Sequence, residues 1–494
     1  MAVTWLEYHE ATKHTVESLR RASHLLDWAN MPNPFRHYEG VPVLDLPADP
    51  PAPEMPALDV LCGVSGFTPA GGGAAFLSQL LFYSAAISAS KRVSSSGYRY
   101  ALRVNPSSGN LHPTEFHFRT QGVAEWPDGL YHYRPSTHMA EQRASGDVEM
   151  KLGGSFAPLV FILTSITWRE AWKYGDRAYR YCLHDIGHAW QALSLAAQAI
   201  GCGSFAVGDF PDDEVAQACS LPDDEVPMLL VELRDGSIPV LESNACETVW
   251  YGGHANQLSA EKVSNEWVDR IHDATKLSTL TQRRNVVAEP PPTGCGEIKL
   301  PPPTSSRHTF GEAARRRRSA LDFVGGSQSI SLTQLSAILA AASQPLIADF
   351  ARTSFVQLYL YAHRVEGLKP GIYRHWSASA ELELIKHGDQ RVVAAELSLG
   401  QKLAGNACVA FSMVGDLERA SRAHSDRGYR YVHFEAGAIG HRLYLAAEAL
   451  GLGATGIGAF YDEEVHRYLK LPPQQQVVYH FAIGYPVPDV RVRG

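Results

Sequence analysis

The sequence predicts an α+β protein in which two similar domains follow one another along one chain. Residues 176–215 and 426–465 are identical at 18 of 40 positions at a constant offset of 250 residues, and a segment with two triple-proline runs lies between them. Two copies of one domain in a chain can pack as the subunits of a dimer do. We therefore expect a first domain at 1–285, an extended proline-rich linker at 286–306 and a second domain at 307–494.

The repeated segment begins with a long helix and continues into a strand. Apolar side chains recur at three- and four-residue steps from Tyr179 to Ile200, which predicts a helix with a wide apolar face that ends at a glycine. The residues that follow it, SFAVGDF in the first copy and ATGIGAF in the second, favour a short strand. DGLYHY at 128–133 is a weaker match to PGIYRH at 370–375, and each follows an apolar alternation suited to a strand; a polar helix is expected at 254–276. Each half therefore mixes helices with strands.

The composition is that of an ordinary globular protein and narrows the choice of partners. The chain has 494 residues and a formal net charge of -8, which argues against broad binding to nucleic acid or to an anionic membrane. Its seven cysteines are scattered without a Cys-x-x-Cys pair, which is typical of reduced thiols. The N-terminus lacks the apolar core of a signal peptide, and no stretch has the apolar length of a membrane span. We expect a cytoplasmic protein without membrane or nucleic-acid partners.

A tight turn, NPSSGNLHPTEF at 105–116, joins a tyrosine-rich stretch to an apolar alternation. Proline fixes φ, glycine accepts a positive φ, and Ser and Asn side chains bond their own backbone, so ordinary turn chemistry explains the composition. Pro113 also suits the first turn of a helix, which leaves a capped helix start as an alternative. A third interpretation is a turn that faces a ligand.

Two further patterns suggest binding sites, and their context weakens both. GLGATG at 451–456 matches G-x-G-x-x-G, yet a helix precedes it and a strand follows, the reverse of a dinucleotide-binding motif. A glycine turn that ends a helix is the simpler interpretation, although backbone amides bared by glycines could face a flat ligand. His184 and His188 have a zinc-binding spacing, but no third ligand is evident and the second copy has Phe434 and Ala438. We expect no metal.

Two groups of polar residues are candidates for chemistry. RRRRS at 315–319 is the densest basic run; such a run is usually a solvated surface, but arginines beside a serine hydroxyl also bind phosphate. Lys173 and Tyr174 stand just before the repeated helix of the first copy, where the second copy has Ala423 and His424. As an acid/base pair they would need pKa values shifted by burial or by neighbours.

Together these motifs resemble the nitroreductase superfamily of FMN enzymes, and most closely its SagB-type branch, the azoline dehydrogenases of peptide natural-product pathways. RRSALDF at 317–323 is similar to the family's R-R-S-x-R-x-F, and PSSGNLHPTE at 106–115 to its P-S-x-x-x-x-x-P-x-E. WKYGDRAYRY and GIGAF resemble its later helix and glycine loop. The similarity covers most of residues 75–240 and 310–490. It implies two nitroreductase-like α/β sandwich domains in tandem that form an intrachain pseudo-dimer.

Members of this family hold FMN between two subunits, and the resemblance implies how the two halves share that task here. The second half carries the phosphate-binding arginines and serine, where the first half has VSGFTPAGGG; the first half carries the turn, where the second has IADFARTSF. We expect one composite FMN site, and a mirror-image site that has lost both sets and is empty. The serine and asparagine side chains of the turn would bond the ring edge. The implied cofactor residues are Pro106, Ser107, Ser108, Gly109 and Asn110 of the first half and Arg317, Arg318, Ser319, Gly456, Ile457 and Gly458 of the second.

The sequence departs from the family pattern at two points. Leu321 stands where the motif R-R-S-x-R-x-F has its last arginine, which removes one phosphate or ribityl contact. The family's basic residue near the C-terminus has only Arg491 and Arg493 as substitutes. Both departures concern the residues that hold the cofactor.

The resemblance leaves three functions open. In the first, the protein is a dehydrogenase of the azoline type for a peptide or small molecule, with Lys173 and Tyr174 as base and proton relay. This function is favoured, because that branch uses such a pair at this position and the pair survives only in the first half. In the second, it is an NAD(P)H-dependent reductase of nitro or quinone compounds that needs no dedicated base. In the third, it keeps the fold without catalysis and binds a peptide or a partner enzyme.

Overall fold

The computed structural model describes residues 3–21, 25–67, 71–92, 97–149, 157–234, 238–240, 247–279, 293–351 and 353–493. The first-half helices within these ranges are α1 (Trp5–Ala11), α2 (Val16–Arg21), α3 (Ala57–Leu61), α4 (Gly73–Phe82), α5 (Thr167–Tyr174), α6 (Ala178–Ala199), α7 (Asp212–Ala218) and α8 (Glu266–Thr275). The first-half strands are β1 (Tyr38–Glu39), β2 (Val43–Asp45), β3 (Ile87–Arg92), β4 (Arg99–Arg103), β5 (Thr114–Thr120), β6 (Gly129–Arg134), β7 (Met139–Ser145), β8 (Leu159–Ser165), β9 (Gly203–Val207), β10 (Val226–Arg234), β11 (Val249–Trp250) and β12 (His254–Ala255).

The second half repeats this mixture of elements. Its helices are α9 (Phe310–Arg316), α10 (Leu332–Ala342), α11 (Arg391–Leu397), α12 (Leu403–Asn406), α13 (Leu417–His424), α14 (Gly428–Ala449) and α15 (Asp462–Leu469). Its strands are β13 (Ile298–Lys299), β14 (Ile330–Ser331), β15 (Val356–Ala362), β16 (Val365–Glu366), β17 (Gly371–Trp376), β18 (Glu381–His387), β19 (Val409–Asp416), β20 (Gly453–Ile457), β21 (Gln475–Gly484) and β22 (Val492–Arg493). Short 3-10 turns occur at Trp28–Asn30, Ser108–Asn110, Gly175–Arg177 and Ser425–Arg427.

Each half is built around one antiparallel sheet, and the two sheets have matching strand orders. The order is β11-β7-β6-β5-β8-β10-β9 in the first half, with β2 beside β7, and β13-β18-β17-β15-β19-β21-β20 in the second. The long helix α6 packs on β5, β8 and β10, and α14 packs on β15, β19 and β21. The protein therefore has a mixed fold with two similar halves, as the repeat predicts.

The two halves meet where α6 and α14 cross. A Cβ atom placed on Gly187 would lie 2.2 Å from Phe434 O, and one placed on Gly437 would lie 2.2 Å from His184 O. Close-packed atoms cannot approach so near, so only glycine fits at this crossing. One apolar core continues across the boundary between the halves. The chain thus forms an intrachain pseudo-dimer.

Two buried ion clusters, related by the 250-residue offset of the repeat, fasten the halves together. The carboxylate of Asp462 lies 3.0 Å from Arg177 and 2.9 Å from Arg180, and all three side chains are buried. The mirror-image cluster has nitrogen–oxygen distances of 2.5 and 2.7 Å and consists of Asp212, Arg427 and Arg430. Each half therefore holds two arginines on a carboxylate of the other.

Segments near both ends of the chain also cross between the halves. The backbones of Pro53, Met55 and Ala57 form hydrogen bonds with residues 308–311 of the second half. Strand β22 pairs with β3, so that Val492 lies opposite Lys91. The expected linker contributes β13, which pairs with the edge strand β18, whereas its residues 286–292 lie outside the described residues. The halves interlock rather than meet at a single face.

The predicted elements of the repeat are confirmed, and one prediction outside it is wrong. The helices α6 and α14, the strands β9 and β20 that follow them, and the strands β5 and β15 before 128–133 and 370–375 occur where the sequence predicts them. The polar helix expected at 254–276 is limited to α8, and β12 occupies residues 254–255. Helix α8 begins late because the Asn265 side chain accepts a hydrogen bond from Val268 N–H and caps it.

Candidate functional site

A cavity of about 960 Å³ lies between the two halves. Its volume falls within the range of roughly 300–1,000 Å³ that is usual for small-molecule and cofactor sites. Residues of both halves line it. The lining includes every residue that the sequence assigned to a cofactor, namely Pro106, Ser107, Ser108, Gly109, Asn110, Arg317, Arg318, Ser319, Gly456, Ile457 and Gly458.

The tight turn contains a 3-10 turn, Ser108–Asn110. Three residues in it or just after it have left-handed backbone. The φ angle is +59° at Gly109, +60° at Asn110 and +51° at His112. Residues 114–120, directly after Pro113, form strand β5 and pair with β8. The helix start considered for Pro113 is therefore wrong.

Asp185 of α6 supports the tight turn. Its carboxylate accepts hydrogen bonds from Ser108 N–H at 3.1 Å and from the Ser108 hydroxyl at 3.0 Å. Burial raises the pKa of Asp185 to about 7, while hydrogen bonds from Ser107 and Ser108 oppose the rise. Asn110 Nδ2 donates to Ala101 O at 3.1 Å. The side-chain donors of Ser108 and Asn110 that were expected at a ring edge thus already have protein partners.

The arginines of the second half are anchored on the first half and keep free donors. Arg317 Nε donates to Val104 O at 2.9 Å, its Nη2 donates to Arg103 O at 3.0 Å, and Arg318 Nη2 donates to Ser88 O at 2.9 Å. The buried nitrogens Arg317 Nη1 and Arg318 Nε have no hydrogen-bond partner among the described residues. Burial lowers the pKa of both guanidinium groups, to about 10 for Arg318. Cationic donors left free on a cavity wall suit a bound anion.

The serine beside these arginines is linked to the glycine loop through Tyr444. Ser319 Oγ and Tyr444 Oη are 2.8 Å apart, and Gly456 N–H donates to the same Tyr444 oxygen at 2.8 Å. The segment GLGATG lies as its context predicts, because α14 ends before it and β20 begins within it. Gly451 has a φ of +72°, which fits a glycine that ends a helix.

In the glycine loop at 456–458, packing allows only glycine at positions 456 and 458, and both residues line the cavity. A Cβ atom placed on Gly456 would lie 2.0 Å from Tyr479 Oη, and one placed on Gly458 would lie 2.1 Å from Tyr181 Cε1. Tyr181 Oη also donates to Gly458 O at 3.1 Å. Both tyrosines line the cavity, so the loop presents bare backbone between two phenol rings. Such a surface allows close approach of a flat ligand.

Lys173 and Tyr174 lie at the end of α5, against the tight turn. A Cβ atom placed on Gly109 would lie 2.6 Å from Tyr174 Oη and 2.9 Å from Lys173 Nζ, so both polar ends reach the turn. Tyr174 lines the cavity, whereas Lys173 is not among the lining residues. Burial raises the pKa of Tyr174 well above its usual value, and the carboxyl of Glu170 and the phenol of Tyr181 raise it further. The Tyr174 phenol is therefore protonated at neutral pH.

The mirror-image position is filled by the protein itself. The segment 347–350 runs beside β9, where Gly208 N–H donates to Asp349 Oδ1 at 2.8 Å. Phe350 stacks on Tyr431 with ring centroids 4.2 Å apart and packs on Gly208. Gly208 and Tyr431 lie 250 residues from Gly458 and Tyr181, which line open space in the composite cavity. The expected empty mirror site is thus replaced by packed side chains.

The C-terminal arginines do not supply a cation to the cavity wall. Arg491 pairs with Asp489 at 2.7 Å at the surface, and the side chain of Arg493 lies outside the described residues. Lys91 of β3 lines the cavity instead and pairs with Asp489 at 2.7 Å. Leu321 also lines the cavity and is 49% exposed, so the position of the missing family arginine is open to solvent.

Sequence reasoning missed the side chains that support the predicted ones, namely Asp185, Tyr181, Tyr444 and Tyr479. The repeat held a signal for two of them. Tyr444 corresponds to Ser194, and Tyr479 to Leu229, at the offset of 250 residues. A polar aromatic residue present in one copy alone indicates a task that the other copy lacks.

Neither a metal site nor a membrane helix emerges from the described part of the chain. No group of three or more His, Cys, Asp or Glu side chains there could hold a metal ion. His184 stacks on Tyr479 with centroids 4.3 Å apart, and His188 Nε2 lies 3.2 Å from Tyr479 Oη. Within the same ranges, no helix has the length and apolar character needed to cross a bilayer.

The fold and the cavity define a class of protein. The model of the Nitroreductase family matches residues 85–233 and 314–485, which together make up more than half of the chain. The chain therefore belongs to the nitroreductase family, whose members are flavin oxidoreductases. The two matched regions correspond to the two halves.

Individual relatives match to different extents. The chain is similar to a crystal structure of an Anabaena variabilis protein named as a nitroreductase, with a TM-score of 0.78 and 26% identity over 98% of this chain and 99% of that one. A Methanocaldococcus jannaschii protein named as a nitroreductase, MJ1384, is 30% identical over 163 residues, which are 32% of this chain and 81% of that protein. Trifolitoxin operon protein TfxC of Rhizobium leguminosarum bv. trifolii is 30% identical over 122 residues, 24% of this chain and 34% of that protein.

Proposed function

We propose that this protein is an FMN-dependent oxidoreductase with one FMN site shared by its two halves. Within the family we assign it to the SagB-type dehydrogenases, which oxidise a heterocycle in a peptide or a related small molecule. The observation that carries the proposal is the wall of the cavity, which joins free cationic donors of the second half to the tight turn and Tyr174 of the first, while Lys173 reaches the same turn. We further infer that the halves at 1–285 and 307–494 are duplicated copies of one domain, joined by the linker at 286–306, and that the protein acts in the cytoplasm.

The donors and bare backbone of the cavity suit FMN. Arg317 Nη1 and Arg318 Nε have no protein partner and, with the Ser319 hydroxyl beside them, would hold the phosphate. The glycine loop at 456–458 and the tight turn would lie against the ring, because side chains are missing where a flat molecule must approach closely. When bound, FMN supplies hydride chemistry, and the protein supplies orientation and electrostatics.

We assign the proton transfer of the reaction to Lys173 and Tyr174. A heterocycle that gives up a hydride must also lose a proton to become aromatic. Tyr174 keeps its phenol proton at neutral pH, because burial raises its pKa, so the Lys173 amine would take the proton and Tyr174 would relay it. The second half has Ala423 and His424 at the equivalent positions, which supports a single working site.

The relative from the trifolitoxin operon is in keeping with a biosynthetic role.

The two other candidate functions make different demands on the same site. An NAD(P)H-dependent reductase of nitro or quinone compounds needs FMN but not Lys173. A non-catalytic member of the fold needs neither.

The cofactor assignment is tested by the visible spectrum of the purified chain after incubation with FMN, followed by acid release of the flavin. We expect one FMN per chain. Arg317→Ala is expected to weaken FMN binding at least tenfold, about 1.4 kcal/mol. Arg315→Ala is the matched control, because Arg315 belongs to the same basic run, donates to Phe82 O and does not line the cavity. A colourless protein, or two FMN molecules per chain, would contradict the composite site.

The proton-transfer assignment is tested on a synthetic peptide that carries a thiazoline ring. Lys173→Ala and Tyr174→Phe should retain FMN and lose ring oxidation by about 100-fold or more, the usual contribution of a general acid or base. His424→Phe, at the mirror-image position of Tyr174, is the control and should keep full activity. Retained NADPH oxidation in Lys173→Ala, without any peptide oxidation by the native chain, would favour the reductase.

A further inference from the structure

Asp185 is a buried carboxyl group in the wall of the cavity, and the chemistry assigned above does not use it. Its side chain accepts both donors of Ser108. None of the ion pairs in the described part of the chain includes it. An ionised carboxylate in this place is an uncompensated negative charge, which a low-dielectric interior disfavours.

The groups around Asp185 do little to compensate that charge. They are Glu170 and Tyr174 from α5, Tyr479 from β21, and, from α6 itself, Cys182 and the cavity-lining Tyr181 and His188. Burial raises the pKa of Glu170 well above its usual value, and neither of its oxygens has a hydrogen-bond partner among the described residues. Burial also lowers the pKa of His188 to about 3. Burial therefore favours the neutral forms of Glu170, His188 and the tyrosines, so none of them supplies Asp185 with a counter-charge.

Glu435, the residue at the mirror-image position of Asp185, shares its structural role but not its place in the cavity wall. Glu435 lies 250 residues after Asp185, is equally buried, and accepts hydrogen bonds from Phe355 N–H at 2.9 Å and Val356 N–H at 3.1 Å. Both carboxyl groups thus hold a segment of backbone. Only Asp185 lines the composite cavity, because the mirror-image position is filled by Phe350.

We propose that Asp185 takes up a proton from solvent when FMN in the cavity is reduced, and that it thereby sets the pH dependence of the reduction potential. This inference rests on the proposed function. A hydride that passes from the substrate to FMN carries two electrons and one proton. Once Tyr174 has relayed the substrate proton from Lys173 to solvent, the buried cavity has gained one negative charge. The Asp185 carboxylate then binds one proton from water to become the neutral acid, which restores the charge of the cavity.

The test is the midpoint potential of FMN bound to the full-length chain, measured by spectroelectrochemistry across neutral pH. Each additional proton taken up per two electrons steepens the dependence by about 30 mV per pH unit. Wild type should show this steeper dependence from near pH 7 upward, because Asp185 is already protonated in both redox states at lower pH. Asp185→Asn should lack the steeper region, and Glu435→Gln, the matched control, should keep it.

A graded variant covers the case in which Asp185→Asn does not fold. Ser108→Ala removes one donor to the ionised carboxylate, which favours the protonated form, so the steeper region should begin at higher pH. A wild-type potential without the additional proton, or a steeper region that Ser108→Ala leaves in place or that survives in Asp185→Asn, would overturn the proposal. Loss of that region in Glu170→Gln alone would assign the proton to Glu170 and overturn it as well. A chain that binds no FMN refutes the proposed function and this inference together, whereas bound FMN without the additional proton refutes this inference alone.

Discussion

Replacing Asp462 by asparagine tests how the ion cluster between the halves supports the site. The carboxylate lies 3.0 Å from Arg177 and 2.9 Å from Arg180, and all three groups are buried. The variant leaves two guanidinium groups without a counter-charge, and removal of one partner of a buried ion pair costs about 3–5 kcal/mol. We expect the free energy of unfolding, measured by urea denaturation at neutral pH, to fall by that amount.

The mirror-image variant, Asp212→Asn, is the matched control for function. Its carboxylate also holds two arginines, so the same loss of stability is expected. The two variants differ at the cavity, because Arg177 Nη2 also reaches Gly458 O at 3.5 Å, in the glycine loop of the composite site. We therefore expect FMN affinity, measured by fluorescence titration, to fall about tenfold in Asp462→Asn and to change little in Asp212→Asn. A loss of stability below about 1 kcal/mol, or equal FMN affinity in the two variants, would refute this reasoning.

Three further tests concern the stability of the protein in acid, the Phe350 side chain at the mirror-image position, and Gly109 in the tight turn. Burial opposes ionisation of Asp462, but its two arginines outweigh that effect and lower its pKa. Its contribution to stability is therefore present above the ordinary pKa of 3.8 and is lost as the pH falls below it. Urea midpoints of wild type should drop more steeply in acid than those of Asp462→Asn. Phe350→Ala removes a buried ring that stacks on Tyr431 at 4.2 Å and should cost about 3–5 kcal/mol in urea unfolding. It should not create a second FMN site, and two flavins per chain would contradict the absence of phosphate ligands there. Gly109→Ala places a Cβ atom 2.6 Å from Tyr174 Oη at a φ of +59°, so we expect a loss of about 1–2 kcal/mol and at least tenfold slower turnover with FMN retained; unchanged turnover would count against the position assigned to the Lys-Tyr pair.

The sequence predicted those helices and strands that follow from the spacing of apolar residues and from the internal repeat. The helix from Tyr179 to Ile200 is visible in its apolar spacing, and a repeat at a fixed offset reveals the same helix and strand a second time. The helix expected at 254–276 failed because strand pairing with β1 and the cap at Asn265 decide where that helix begins. The helix start at Pro113 failed because the residues after it pair with β8 and β6, and such pairing with distant strands is not visible in the local sequence.

The residues of the candidate site likewise fall into those that the sequence predicted and those that it did not. The residues proposed to bind the cofactor could be named because each half of the chain keeps one recognisable set of motifs and lacks the other. Tyr444, which joins Ser319 to Gly456, could not be named, because its task exists only after three distant segments have packed together. Phe350 gave no sign that it fills the mirror position, since an aromatic residue in a loop is ordinary in sequence.

By itself, the sequence determined that two similar halves exist and where their long helices lie, and it suggested which residues of each half would hold one shared cofactor. Tertiary structure alone decided that Asp185 lies beneath the tight turn, that Arg317 is anchored on first-half carbonyls, and that Phe350 packs at the mirror-image position of the cavity. The physical reason is that periodicity and composition act along the chain. Burial, charge and free volume, in contrast, arise only where residues far apart in sequence come into contact.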